Sequence, residues 1–488
     1  MRLKMPDAAD RLGDGFLARA GLLDPEAQRI AAEVLARARR DGLETVRLCF
    51  VDQHGILRGK ALVADALASA FRSGVAMTST LLFKDTSHRT VFPVWQDDIG
   101  FGPGVFTGAG DALMVPDPAT FRVLPWAQHS AWMLCSIHGP DGAELPFCSR
   151  SQLKRAEARL AGQGQAALFG LEQELHIFRV TDPNLRHDAG GFDEAPPATA
   201  PLNHGYQYLT EARYDAAEAV LDDLRRNAQA LGLALRSVEI EFGPSQFEFT
   251  FEPAGPMAQA DTTALFRAMA KQVCARAGLH ASFMCVPGLP DIVPSGWHVH
   301  QSLSDAAGRN LFAPEGDALT PQAAGWIAGL LERTAETTLL LVPTVNGYKR
   351  FRPGMMAPDR IQWARDNKGA MIRALMKPGD PASRIENRLP EPAANPYLTF
   401  AAQIHAGLDG IAAGSLPSAP VDSPYASAAP RLPADLGAAI AAFEGSEFIA
   451  RSFGPVFRTW LATLKRAEWD RYRMTVSDWE MREYFSLF

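Results

Sequence analysis

The chain is short of the features that mark several large protein classes. It has five cysteines in 488 residues (Cys49, Cys135, Cys148, Cys274 and Cys285) and no CxxC pair. Odd in number and scattered, they exclude a disulfide scaffold and a zinc ribbon, and they read as reduced, buried thiols of a cytoplasmic protein. No run of about 18 uninterrupted apolar residues occurs, so no membrane-spanning helix is expected. The opening MRLKMPDAADRLGDGF has neither an apolar core nor a cleavage site and does not read as a secretory signal. There is no basic block, and the formal net charge is −7, which argues against a nucleic-acid groove. Walker A and kinase Gly-rich loops are both missing, so a bound nucleotide would need another kind of site. No internal repeat is visible.

What is there is globular: 47% hydrophobic and 21% charged, and too long for one small core. The pattern divides into an N-terminal helical segment (1–39), a small mixed domain (40–142) and a large domain (143–488). A helix is predicted over 24–42, with Pro25 near its start. VRLCFVDQHGILRGKALV alternates around a DQHG turn and predicts a hairpin. Strands are expected near 113–115 and 131–136, with the Gly- and Pro-rich DDIGFGPGVFTGAGD as loop between them. SRSQLKRAEARLAGQG predicts a helix capped by Ser149 or Ser151. Up to about residue 415, apolar strands alternate with Ala-rich helices, two of them near 212–232 and 257–278. The aromatic-rich tail 431–488 is expected to be helical, with WEMREYFSLF docking or meeting a partner subunit.

The chemistry concentrates in short acidic segments on otherwise apolar strands. LFGLEQELHIFRV puts Glu172, Glu174 and His176 on one face, because strand side chains repeat every two residues. SVEIEFGPSQFEFTF carries Glu239, Glu241 and Glu248, and SGWHVHQSL carries His298 and His300. In SRIENRLPEPAANPY, Arg384, Glu386 and Arg388 alternate along one face before a Pro-rich turn. Taken singly, each is an ordinary solvated face or a salt-bridge ladder. Together they are different, because a carboxylate on a buried strand is costly unless a cation compensates it. Several such strands imply a shared cation, and mostly oxygen ligands with an imidazole fit Mg²⁺ or Mn²⁺ better than Zn²⁺. Hard cations beside arginines point to phosphoryl transfer.

FGLEQEL, EFGPSQFE, SGWHVHQSL, NGYKRFRPG and RIENRLPEPAANPY occur in this order, after FVDQHGILRGK. In these motifs the chain resembles glutamine synthetase and its γ-glutamyl ligase relatives over roughly residues 40–488. The resemblance implies an α+β fold: a β-grasp-like N-terminal domain, then a large catalytic domain with a curved antiparallel sheet and outer helices. It implies one metal at Glu174, Glu241 and Glu248 and a second at Glu172, His298 and Glu386. It further implies that Arg350, with Gly296 and Glu174, holds the glutamate, and that Arg388 lies near its γ-carboxyl. His300, Ser302, Arg365, Lys368 and Arg373 would meet ATP or its phosphates. Asp52 would reach a neighbouring subunit's site to orient the amine, in a pocket shared with His176, Met355 and Met356. Implied partners are L-glutamate, ATP, two or more Mg²⁺ or Mn²⁺ per site, and copies of the chain in two stacked hexameric rings, with no nucleic acid or membrane. The implied reaction phosphorylates the γ-carboxyl of glutamate and then lets an amine displace phosphate.

The chain departs from the family's ammonia users in three places. PGMMAP puts Met355 and Met356 where Tyr-Glu is usual, replacing a proton acceptor by adaptable apolar surface. LPDIVPSGWH replaces the usual Asn-Gly by Val293 and Pro294, and Trp297 adds either aromatic surface near the substrate or core. Lys368 stands where arginine is usual, keeping the charge but losing the planar fork. An organic amine, alkyl or aryl, needs less negative charge and more room than ammonium. A γ-glutamylamide synthetase is therefore expected. The alternatives are an ammonia-using glutamine synthetase and a catalytically silent nucleotide-binding homologue. PVDSPYASAAP holds Tyr425 without the acidic and Leu-Pro-Pro surroundings of the family's modified tyrosine loop, so no regulation is expected there.

Overall fold

The computed structural model describes residues 12–102, 109–192, 195–352, 354 and 356–488. Met355 and part of the Gly-rich loop predicted over 97–111 lie outside the described residues.

Residues 45–138 build one sheet from β1 (Thr45–Val51), β2 (Leu57–Val63), β3 (Val75–Thr78), β4 (Asp111–Pro116), β5 (Arg122–Leu124) and β6 (Ala127–His138). Its order is β2-β1-β6-β4-β3, with β5 beside β6. β1 and β2 form the expected hairpin, and β1 runs parallel to β6, which is the β-grasp-like arrangement. Asp52 closes the hairpin by accepting the backbone N–H groups of His54 and Ile56, while Gly55 supplies the left-handed turn at φ +78°. The helix Pro25–Arg40 starts on an Asp24 cap and buries Ala31, Val34, Leu35 and Ala38 at helical spacing.

The second sheet is built from β7 (Gln165–Asp182), β8 (Ala198–Pro201), β9 (Leu235–Ile240), β10 (Gln246–Ala254), β11 (Leu279–Ser282), β12 (Trp297–Asp305), β13 (Trp363–Arg365), β14 (Ile372–Leu375) and β15 (Arg384–Asn387). The order is β13-β14-β15-β12-β7-β10-β9, and β8 and β11 also pair with β7. β13 and β14 are parallel, so the sheet is mixed rather than wholly antiparallel as expected. Behind it lie Pro256–Arg276 and Pro396–Ala413, the latter packed on Pro321–Glu332. Those two helices touch backbone to backbone: a Cβ on Gly329 would fall 2.0 Å from the Ala406 carbonyl oxygen.

One local expectation is corrected and another is narrowed. The helix Ser149–Ala161 is preceded by Cys148 as its cap, without a side-chain capping bond. Ser149 instead donates its hydroxyl to the Val51 carbonyl at 3.1 Å, tying the helix to β1. The tail is helical, but Asp478–Tyr484 buries no residue, and Trp479, Phe485 and Phe488 are exposed. Against the described residues it buries no side chain, which leaves contact with a partner subunit as the remaining expectation.

Candidate active site

Strand register assembles the site. β7 lies between β12 and β10, so Glu172 faces His298 on one side and Glu174 faces Glu248 on the other. Glu248 in turn faces Glu239 on β9. At the other flank, Glu386 on β15 faces His300 of β12 and Arg373 of β14. Directly opposed residues have Cβ atoms about 5 Å apart, and like charges so placed repel. The Glu174–Glu248–Glu239 row is therefore unfavourable unless a cation sits over it.

The two flanks differ in how their charges are met. Glu172 accepts from His298 Nδ1 at 3.0 Å and from His300 Nε2 at 2.8 Å. Fully buried Glu386 takes Arg373 Nη1 at 3.0 Å and a shorter contact from Arg388. Burial alone would raise the pKa of Glu172, but its two histidine partners outweigh burial and hold it below the usual carboxylate range. The same contest at Glu386 is won by Arg388 and the histidines, again lowering it. The opposite holds at the other flank. Burial, then the Glu174 charge, pushes Glu241 up to about 8. Burial, then Glu172 and Glu174, raises Glu248 well above its ordinary value. Glu174 accepts hydrogen bonds from neutral donors, the Gly296 N–H and the Gln246 amide, each at 3.0 Å to one oxygen, while His298 Nε2 stands 3.9 Å from the other.

This uneven compensation fits a metal centre. Glu172, Glu248 and His298 each offer a ligand atom within a mutual 4.8 Å, and so do Glu172, His300 and Glu386. An oxygen-rich set with imidazole suits a hard divalent cation. His300, expected only on the ATP side, thus also belongs to one of the two groups able to hold an ion.

Two cavities open on this face and share Glu172 and Glu239. One, of about 400 Å³, is lined by His300, Ser302, Arg236, Ser237, Thr250 and Arg384 among others. The other, of about 250 Å³, has the carboxylates on its floor and Arg350, Lys368, Arg373 and Arg388 around it. Its apolar wall is made by Tyr208, Phe242, Val293, Pro294 and Met356. Arg350 is buried, and its guanidinium donates to the carbonyls of Arg388, Leu389 and Pro390 at 3.0–3.3 Å. Gly296 lies against it: a Cβ there would be 2.6 Å from Arg350 Nη2 and 2.9 Å from His298 Nε2. Met356, at φ +52°, accepts from Arg388 Nη2 through its carbonyl, and Tyr425 donates its hydroxyl to the next carbonyl, Ala357.

The structure gathers Glu172, Glu174, Glu241, Glu248, His298, Gly296, Arg350, Lys368, Arg373, Arg388 and Met356 around the smaller cavity, with Glu386 bonded beneath. His300 and Ser302 line the larger one. Three expected residues stand elsewhere. His176 is fully buried beyond the cavity, bonded to Ser295 and stacked on Phe178, and burial lowers its pKa to about 4. Arg365 turns outward and donates to the Asp317 carbonyl at 2.7 Å, because β13 buries Trp363 and Ala364 and leaves residue 365 exposed. Asp52 does not line either cavity of its own chain; Arg58 Nε sits 2.5 Å from its carboxylate. Trp297 is core, packed on Phe400 and under the Arg267 guanidinium. Sequence reasoning counted Glu239 and Arg384 among its charged strand faces without assigning either a specific role, and did not single out Gln246, Tyr208 or Phe242. Glu239 and Arg384 carried a strand-face signal, whereas Tyr208 sits in a turn with no periodicity to mark it.

The family model described as "Glutamine synthetase, catalytic domain" matches residues 146–484. A γ-glutamylanilide synthase from Acinetobacter sp. is 39% identical, covering 97% of this chain and 99% of its own length. A γ-glutamylethanolamide synthetase from Streptomyces coelicolor is 32% identical over 93% of this chain and 95% of its own. A solved GmaS complex with ADP superposes with a TM-score of 0.77 at 28% identity, covering 93% of this chain and 99% of that one. The chain belongs to the glutamine synthetase family.

Proposed function

We propose that this family member, an ATP-dependent carboxylate–amine ligase, joins the γ-carboxyl of L-glutamate to an organic amine through a γ-glutamyl phosphate. One observation carries the reading. The 250 Å³ cavity has an acidic floor, guanidinium groups at its end, and an apolar wall containing Met356, Val293 and Pro294. The names of the Acinetobacter and Streptomyces relatives support an organic amine over ammonium.

The residues divide the work by charge. Arg350, already aimed by three backbone carbonyls, is assigned to the α-carboxylate of glutamate. Gly296 leaves the space that this requires. Arg388 and Arg373, bracing Glu386, are assigned to the γ-carboxyl and the phosphoryl group. Lys368, His300 and Ser302 face ATP. Divalent cations, Mg²⁺ or Mn²⁺, would be held by Glu174, Glu241 and Glu248 and by Glu172, His298 and Glu386; when bound they screen repulsion between the two anions. A γ-carboxylate oxygen attacks the terminal phosphorus of ATP, and ADP leaves. The amine lone pair then forms the C–N bond, the C–O bond to phosphate breaks, and orthophosphate departs. The nitrogen loses one proton, for which Asp52 of a neighbouring subunit is the assigned acceptor. We also assign 40–142 to the small domain and 143–488 to the catalytic domain, in a cytoplasmic assembly of two stacked hexameric rings. Among the described residues, no helix is long and apolar enough to cross a membrane.

The test is phosphate release from ATP with L-glutamate across ammonium, alkylamines, ethanolamine and aniline, with mass detection of the amide. A higher kcat/KM for an organic amine than for ammonium is expected, and Met356→Glu should narrow that gap by about tenfold or more, since a positioned proton acceptor contributes on that scale or above. Wild-type preference for ammonium would overturn the reading.

A further inference from the structure

The apolar wall of the glutamate-side cavity holds a feature that a small amine does not need. Tyr208 and Phe242 lie face to face, with centroids 4.6 Å apart and planes 3° from parallel. Both rings line the cavity beside Glu241. They come from different elements, so the stack is built rather than a by-product of one strand. Tyr208 sits in the turn 205–209, which is hung on the strand end by two backbone bonds, Tyr206 N–H to the Phe242 carbonyl at 2.6 Å and Leu209 N–H to the Ile240 carbonyl at 3.2 Å. Gly205 permits the approach: a Cβ there would be 2.8 Å from the Phe242 carbonyl oxygen. The turn also holds two non-glycine residues at positive φ, Tyr206 at 65° and Leu209 at 53°, one on each side of Tyr208. Left-handed backbone at bulky residues is uncommon and costs free energy, and it gathers where a side chain must be held for a purpose.

The purpose is legible from what the stack leaves open. Tyr208 is 38% exposed and Met356 45% exposed, although both are large side chains lining the cavity. Parallel rings stack further partners in an offset fashion, and sulfur is favourable at a ring edge. An ammonium or short alkylammonium ion would gain little from such a wall, while an arylamine presents a flat ring to it. Arylamines also fit the charge. Their nitrogen lone pair is partly shared with the ring, so they enter neutral and need no base before they attack.

Building on the reading above, we infer that the amine is a flat aromatic primary amine whose ring rests on the Tyr208–Phe242 stack, making these two residues determinants of amine specificity. The amino nitrogen then points toward the carboxylate floor, where the γ-carboxyl is activated, and the ring stays on the apolar wall with Val293, Pro294 and Met356.

The test compares aniline with hydroxylamine, a small nucleophile without a ring, in the wild type and in Tyr208→Ala, Phe242→Leu and Tyr208→Phe. The readout is the ratio of kcat/KM for aniline to kcat/KM for hydroxylamine. Tyr208→Ala and Phe242→Leu are expected to lower that ratio about tenfold, the scale of a lost aromatic stack plus its buried area, chiefly through KM for aniline. Tyr208→Phe keeps the ring and should keep the ratio. An unchanged ratio in both ring-removing variants overturns the inference, as does a fall in Tyr208→Phe equal to that in Tyr208→Ala, which would assign the effect to the hydroxyl. Saturation-transfer NMR of aniline on the wild type and on Tyr208→Ala gives a readout independent of turnover. If no amine supports phosphate release but aniline binds the wild type and not the variant, the ligase reading fails and the aromatic site stands. If hydroxylamine is used and aniline neither binds nor reacts, the aromatic site fails and the ligase reading stands.

Discussion

Glu241 offers a direct way to measure what the acidic floor costs. In the metal-free fold, burial and the neighbouring Glu174 lift it from the ordinary 4.5 to about 8. The sign follows from proton binding. Between those two values the folded chain holds a proton that the unfolded chain has released, so stability falls as pH rises through that window. The full rise is worth at most about 5 kcal/mol. Glu241 titrates together with its carboxylate neighbours and keeps some solvent contact, so about 2 kcal/mol is expected at pH 8.5. Glu241→Gln removes the charge at nearly constant shape, and its amide oxygen can still accept the Phe242 N–H, now 3.2 Å from Glu241 Oε2. In EDTA at fixed protein concentration, urea unfolding should show the variant more stable than wild type by about 2 kcal/mol at pH 8.5, and nearly equal to it at pH 5. A divalent cation should reverse the order. At one hundred times its dissociation constant it adds about 2.7 kcal/mol to the wild type, and the variant gains little. Ligase activity of the variant should fall by about a hundredfold or more, the effect expected of a residue assigned to hold a catalytic cation. A wild-type stability in EDTA that is flat from pH 5 to 8.5, or a variant less stable than wild type at pH 8.5, would refute the reading of an uncompensated carboxylate.

Three further outcomes separate the site from its surroundings. Gly296→Ala should raise KM for glutamate by about tenfold or more with the fold intact by circular dichroism, because its methyl would stand 2.6 Å from Arg350 Nη2; an unchanged KM would detach Arg350 from glutamate. Arg373→Gln should cost about a hundredfold in kcat, as it breaks the 3.0 Å contact with Glu386 beneath the position assigned to the phosphoryl group; Arg365→Gln, at a guanidinium that faces the Asp317 carbonyl, should change kcat/KM by less than about twofold. Truncation after Met474 removes a segment whose helix buries no residue against the described chain. The chain should keep its far-UV spectrum but sediment as a smaller assembly, and an unchanged sedimentation coefficient would free the tail from any role between subunits.

Most of the site could be read from the sequence because it is written in strand periodicity. A carboxylate at every second position of an apolar strand can only face one way. Which strands meet is seen only in the structure, which pairs Glu172 with His298 and Glu248 with Glu174. The resemblance added roles that spacing could not. Where the reading failed, it failed for local reasons. His176 continues the alternation of Glu172 and Glu174, but at that point β7 also pairs with β11, and Ser282 stands opposite His176. The same face that is open cavity at Glu174 is closed core two residues later. Arg365 sits near a run of cationic residues, yet β13 is only three residues long and points it outward.

The two aromatic residues that sequence reading missed, Tyr208 and Phe242, lie outside the strands, where no period exists. Tyr208 belongs to a turn whose shape depends on Gly205, on two left-handed residues, and on hydrogen bonds to a strand end more than thirty residues later in the chain. Nothing in GYQYL announces that one of its rings will lie parallel to Phe242. The departures that could be read, Met356, Val293 and Pro294, said that the wall had become apolar. They could not say that it had become flat. Apolar surface alone would admit an alkyl chain or a ring equally well, because hydrophobic transfer follows area and is indifferent to shape. A parallel pair of rings is not indifferent, since stacking rewards planarity. The geometry of two side chains therefore carries information about the substrate that the composition of the wall does not, and it is the reason an arylamine is favoured over an alkylamine of equal size.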